Sequence, residues 1–287
     1  MAETLSLVSL LYYTGITLLT LFLPICIHEF GHYIIARRSG VHTESISIFF
    51  SVKKPLYQKS ISILGQKTTL NIGYIPFGGY VAFPRDALHR ISPWKSIGIY
   101  LAGPLANITF GVCTLLVIHL AYMDWNPVAS TSYTMEKLTT FTTATTHFFT
   151  DPSLNKLAGP VGIGNTATKI VWNIPSWFEY TAWISIALGL FNLLLLDGLG
   201  IILSLCRYIQ KSLFTPFLIE RIESGYTGFI IALVMIVTAN DLGLLNNPLW
   251  SALFWIVFVA LCLIVTALIL VSTKEQIKFN QNTAYQS

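Results

Sequence analysis

Long unbroken apolar runs, and not an alternation of polar and apolar positions, dominate this chain. Five can be marked off, at Leu7 to Ala36, Ile97 to Tyr122, Tyr180 to Cys206, Ser224 to Asn240 and Pro248 to Ser272. A helix crosses a hydrocarbon layer with about 20 apolar residues, so each run predicts a transmembrane helix. The fourth is the shortest and stops at Asn240 and Asp241. Within residues 44–83 the period changes: Ile46 and Ile48 alternate with Ser45 and Ser47, and Leu70, Ile72 and Tyr74 with Asn71 and Gly73. Period 2 predicts short strands. Turn candidates at Lys53-Lys54-Pro55, Leu64-Gly65-Gln66 and Phe77-Gly78-Gly79 make this a small antiparallel sheet, apolar enough to touch or enter the membrane. Residues 124–179 contain a threonine-rich run, Thr131 to His147, which predicts a solvated linker or short helix. The fold class is an α-helical polytopic membrane protein with about five transmembrane helices and a small membrane-associated β-rich region. Residues 1–287 form a single membrane-embedded domain in this reading.

Composition strengthens the membrane reading, since 10% of the 287 residues are charged and 54% hydrophobic, against about 25% charged in soluble domains. Of the 17 Lys and Arg, nine lie between Arg37 and Lys95, three at Arg207, Lys211 and Arg221, and two at Lys274 and Lys278. Basic loops stay cytoplasmic, so the sheet and the carboxyl terminus are expected inside and the amino terminus outside. The first run has no preceding Lys or Arg and no small-residue cleavage site, so it is not expected to be a removed signal peptide. The net charge of +4 is accounted for by this asymmetry. No basic patch with interleaved aromatics remains to suggest nucleic acid, and nothing in the pattern fixes an oligomeric state. Cys26, Cys113, Cys206 and Cys262 all fall in or beside apolar runs without CxxC spacing, as packing residues do.

His28-Glu29-Phe30-Gly31-His32 carries the chemistry. Residues four apart share a helix face, so both imidazoles can bind one zinc ion with Glu29 beside it as general base. Ionisable groups at membrane depth are costly and mark function. A catalytic zinc takes a third protein ligand. Of the 13 Asp and Glu, only Glu29 and Asp197 fall well inside a predicted span, and the first and third spans run in the same direction with His28 and Asp197 at similar depth. Asp197 is therefore the leading third ligand, against the plainer reading of a helix-ending Asp-Gly turn. For Gly103, Ala106 and Asn107, close helix packing outweighs a direct catalytic part. His42, His89, His119 and His147 are assigned to surfaces or interfaces.

These motifs come with others in a fixed order: Phe77-Gly78-Gly79-Tyr80-Val81, Ala102-Gly103-Pro104-Leu105-Ala106-Asn107, Gly159-Pro160-Val161-Gly162-Ile163 and Leu196-Asp197-Gly198. Together they resemble the site-2 protease family of intramembrane zinc metalloproteases, in its bacterial regulator of sigma-E protease branch, over roughly Pro24 to Leu245. The resemblance implies zinc held by His28, His32 and Asp197, Glu29 as catalytic base, and a place in a bacterial inner membrane. It departs in three ways. The family's third-span pattern, Asn-x-x-Pro-x-Pro-x-x-Asp-Gly, is here Asn192, four leucines, Asp197 and Gly198. Without the prolines an unbroken helix is expected, with Asn192 and Asp197 about 140° apart. The outer region is too short for the PDZ domains common in this branch, and a fifth span exceeds the usual four.

The activity implied is hydrolysis of a peptide bond in or near a transmembrane segment of a membrane protein, or in a signal-peptide remnant. Asn192, Gly78 and Gly79 are the candidates for substrate contact. A helical substrate must unwind first, and the strands of residues 44–83 offer an edge to receive it. The rival is a pseudoprotease that binds membrane proteins without turnover, motivated by the missing prolines. A transporter or histidine-box oxidoreductase is weaker, since only one histidine cluster is present.

Overall fold

A computed structural model describes residues 7–51, 53–63, 65–84, 87–150, 159–209 and 216–246, together with 252 and 256. Helix α1, Leu7–Arg38, is the first apolar run. It ends because Gly40 takes φ +83, which lets Val41 N–H reach the Ala36 carbonyl and Gly40 N–H that of Arg37. This paired closure, with glycine in the left-handed conformation, is the Schellman stop.

Four strands follow: β1 (Ser45–Phe50), β2 (Tyr57–Ile63), β3 (Gln66–Ile72) and β4 (Ile75–Ala82). Their order is β2-β3-β1-β4. β2 and β3 form the expected hairpin, and β4 pairs antiparallel with β1. The sheet is nevertheless mixed, because β1 and β3 are parallel. Gly78 and Gly79, expected in a turn, lie inside β4.

A short helix α2 (Ala87–Arg90) leads to α3 (Pro93–Tyr122), which starts on a proline as helices favour. Its buried stripe of Gly103, Pro104, Asn107, Gly111, Leu115 and His119 recurs at near-helical spacing, and small residues in it admit neighbouring backbones closely. Between α3 and the next long helix stand α4 (Pro127–Thr150) and α5 (Pro160–Ile170). Where a linker or short helix was expected, a 24-residue helix stands. His119, assigned to a surface or interface, lies buried where α3 meets α4 and α6, with Nδ1 2.8 Å from Thr134 Oγ1 and Nε2 3.6 Å from Glu179 Oε1.

The third run is two helices, α6 (Ile174–Leu194) and α7 (Leu196–Ile209). The unbroken helix expected of the leucines does not form: Leu195, at φ −111 and ψ −83, interrupts it. Gly198 permits the turn, since a Cβ there would strike the Leu193 carbonyl oxygen. Helix α8 spans Pro216–Asp241. Three helical stretches are long and apolar enough to cross a membrane among the described residues: Leu11–Arg38, Pro93–Tyr122 and Ile174–Ile209. The fourth expected run falls within α8, whose apolar helix Ala232–Asp241 is shorter, and residues 248–272 lie outside the described residues except for 252 and 256. Leu105, Val117 and Ile202 stay exposed on these helices. Cys26, Cys113 and Cys206 are free thiols.

Candidate metal centre

The centre forms where α1, α3 and the α6–α7 break meet. His28 and His32, one helical turn apart, are each 8% exposed, and Glu29 is 4% exposed. Their imidazoles stand nearly at right angles, 84° between planes, with the two Nε2 atoms 3.0 Å apart. Asp197, in the first turn of α7, brings Oδ2 to 3.3 Å from His28 Nε2 and Oδ1 to 3.4 Å from His32 Nε2. The helix restarts at this residue, so Asp197 is not in a helix-ending turn.

His32 Nδ1 donates to the Ile99 carbonyl at 2.7 Å. A proton on Nδ1 leaves Nε2 as a lone pair aimed into the triangle, the arrangement that metal-binding histidines adopt. Asp197 Oδ2 is buried and has no well-formed hydrogen bond, only the approach of the His28 nitrogen. A nitrogen lone pair and a buried carboxylate that converge in this way offer a site for a cation. Bonds of about 2.0 to 2.1 Å to a tetrahedral zinc imply ligand atoms about 3.3 to 3.4 Å apart; the two Nε2 atoms are 3.0 Å apart and each has a different Asp197 oxygen at 3.3 or 3.4 Å, so that one ligand atom from each residue lies within 4.8 Å of the others. Three donors leave one tetrahedral position for water or substrate.

Glycine makes room for this cluster. A Cβ on Gly103 would fall on His32 Nε2 and lie 2.8 Å from His28 Cε1, so any other residue in α3 would push the imidazoles out. Gly79 does the same for the base: its Cβ would lie 2.9 Å from Glu29 Oε1. The outer strand β4 thereby passes directly beside the Glu29 carboxylate, while Gly78 faces the Phe50 ring.

Two asparagines complete the surroundings of His28. Asn192 Nδ2 lies 3.3 Å from its Nε2, close enough to touch the centre because the chain turns at Leu195. Asn107 Nδ2 lies 3.5 Å from its Nδ1. An amide presents nitrogen or oxygen by a half turn about its last bond, so Asn107 can accept the Nδ1 proton that His28 must carry if Nε2 binds metal. Packing was only half of its part. Its backbone carbonyl does accept from Ser185 Oγ, tying α3 to α6, but its side chain faces the centre. The signal was available in the repeat Gly103, Asn107, Gly111, which marks the α3 face turned to His28.

Residues 16–237, well over half of the chain, match the model of peptidase family M50. The chain belongs to that family. Among relatives of this M50 chain, a putative zinc metalloprotease of Xylella fastidiosa is 41% identical over 102 residues, 31% of this chain and 21% of the relative. The regulator of sigma-E protease RseP of Escherichia coli is 36% identical over 100 residues, 31% of this chain and 21% of the relative. Protease RseP of Yersinia pestis is 30% identical over 124 residues, 39% of this chain and 26% of the relative. The matches thus span about a fifth to a quarter of the length of these curated relatives.

Proposed function

We propose that this M50 chain is an intramembrane zinc metalloendopeptidase that cleaves peptide bonds in or near transmembrane segments of membrane proteins, or in signal-peptide remnants. The observation that carries the reading is the His28, His32 and Asp197 triangle, with ligand atoms all within 4.8 Å of one another, set beside Glu29 in helices apolar enough to cross a membrane. The names of the relatives, zinc metalloprotease and RseP, point the same way.

His28, His32 and Asp197 are the residues that would hold zinc, the two histidines offering Nε2 and Asp197 a carboxylate oxygen. Zinc held there supplies a Lewis acid that acidifies water and polarises a carbonyl oxygen. Glu29 accepts the attacking water's proton and later passes it to the leaving amine. Its neighbourhood of buried side chains keeps bulk water from competing. Asn192, with an amide on the His28 edge of the centre, is placed to donate to the scissile carbonyl. β4 is an outer strand of the sheet, and Gly78 and Gly79 leave its backbone accessible beside Glu29. An unwound substrate can pair there as an added strand, which brings its carbonyls to the base.

The sheet and the carboxyl terminus lie in the cytoplasm of a bacterial cell and the amino terminus outside the inner membrane, in a chain of five spans. The basic residues between Arg37 and Lys95 support this orientation. Aromatic residues support the level of the bilayer, with Trp94 against Tyr208 at one end and exposed Tyr122, Trp125 and Trp172 at the other. The pseudoprotease reading drew on the missing prolines of the third span; the break at Leu195 interrupts the helix without them, and the zinc metalloprotease and RseP names of the relatives favour the protease.

The deciding experiment replaces Glu29 with Gln, an amide of nearly the same shape that cannot take a proton. Cleavage of a single-span model substrate should fall by about 10²- to 10⁴-fold while zinc stays bound. Near-native cleavage by the purified variant would sink the mechanism.

A further inference from the structure

The threonine-rich helix α4 has no part in the chemistry above, yet its packing is specific. It turns back beside α3 after Trp125 and descends antiparallel to it. Ser130 Oγ donates to the Leu116 carbonyl, Thr134 meets His119, and Leu138 and Phe141 pack around Leu115, with Val112 and Trp183 alongside. The second wall is α6, where the level moves from Glu179, beside His119, to Trp183, stacked on Phe141 at 5.1 Å. Phe141 is thus at the level of Trp183, four residues below Glu179 and nine below the start of α6 at Ile174, which is about 14 Å of helix from that start.

With the exposed Tyr122, Trp125 and Trp172 taken as the interface level, that depth falls on the apolar side of it. The helix is built for it in a way that hydropathy hides. Thr139, Thr140, Thr142, Thr143 and Thr146 all face outward, and each hydroxyl donates to a carbonyl three or four residues back, at 2.8 to 3.0 Å. A hydroxyl satisfied within its own helix makes no demand on water, so this face shows methyl groups. Charge follows the same level. Glu136 and Lys137 are in the upper half, with the Lys137 ammonium 5.0 Å from the Tyr133 ring centroid, and residues 138–150 contain no Asp, Glu, Lys or Arg. On α3, Val117 is likewise 64% exposed.

We infer that α4 is a re-entrant helix that dips into the membrane from the outer side, its threonine face covered by lipid acyl chains; this rests on the membrane reading under Proposed function. It converts what the sequence offers as a solvated linker into a membrane-embedded wall on the outer side of α3 and α6.

The test uses the full chain with its four cysteines replaced by alanine, carrying one new cysteine at a time and reconstituted in phosphatidylethanolamine and phosphatidylglycerol vesicles. Thr142→Cys and Thr139→Cys report the α4 face, Val117→Cys the lipid flank of α3, and Val128→Cys the water-exposed start of α4. Each is labelled with an environment-sensitive fluorophore and used only if it still binds zinc. Lipids brominated in mid-chain should remove most of the emission from Thr142, Thr139 and Val117, and iodide should leave it unchanged; Val128 should behave in the opposite way. Iodide quenching at Thr142 and Thr139 with bromine quenching kept at Val117 overturns the re-entrant helix alone. Quenching there by neither agent also overturns it, and points to a second copy of the chain on this face. Loss of bromine quenching at Val117 as well overturns the membrane reading on which it rests.

Discussion

At the scale of single residues, the centre depends on which ring nitrogen carries the proton. His32 is fixed by the Ile99 carbonyl, whereas His28 has the two asparagine amides around it. Asn107→Leu removes one of them without adding volume to the triangle, and zinc affinity should fall by about 10- to 100-fold, the range for supporting partners of metal-bound histidine. Asn107→Asp, which offers an acceptor only, should recover most of it. The ligands themselves should rank above this, with Asp197→Asn weakening zinc more than Asn107→Leu and His28→Ala more still. Competition with a chromophoric chelator on purified protein gives all four affinities. An Asp197→Asn variant that holds zinc as tightly as the native chain would remove Asp197 from the ligand set.

At the scale of elements, the decisive features are a strand that comes close and a helix that breaks. β4 runs against Glu29 because Gly79 has no side chain. Gly79→Val should therefore displace the carboxylate or hold substrate away from it, and the expected outcome is loss of cleavage by at least about 10-fold, since a misplacement of about 1 Å costs more than that in a positioned reaction. Zinc content should be unchanged, because His28, His32 and Asp197 lie on other elements. Retained cleavage in Gly79→Val would mean that the substrate does not approach along β4. The break at Leu195 shows how propensity yields to contacts. Four leucines favour helix by a few tenths of a kcal/mol each, but the carboxylate of Asp197 reaches two imidazoles only if α7 starts afresh, and Gly198 lets the backbone fold tightly enough to do so.

At the scale of the whole molecule, the small outer region limits how substrates can be screened. Among the described residues, only α4 and α5 stand between α3 and α6, where PDZ-bearing members of the resembling branch have whole domains. α5 also packs on α1 near Thr17, where a Cβ on Gly164 would strike its hydroxyl, and its start is tied to α8 by Gly162 N–H donating to Asp241 Oδ2 at 2.9 Å. Such a closely fitted outer side favours short substrates. Model substrates that share one transmembrane segment and differ only in the folded domain outside should be cleaved less as that domain grows. Equal cleavage across the series would show that no size filter operates.

The sequence by itself determined the membrane-spanning class, the strands of residues 44–83 and the zinc-type motif, because each rests on near-neighbour physics: run length, period, and residues one helical turn apart. It also named Asp197, since a carboxylate at membrane depth is rare enough to stand out alone. Tertiary structure decided what depends on residues far apart in the chain. Whether β1 meets β3 in parallel, whether Asn107 and Asn192 touch His28, and whether His119 is buried are contacts between distant segments, to which local pattern is blind. The α6–α7 break belongs here too, because long-range attraction at Asp197 outweighs the local preference of Leu193 to Leu196 for helix. So does the placing of α4, whose threonines look solvated in sequence and become compatible with an apolar setting only once each hydroxyl has turned back onto its own helix.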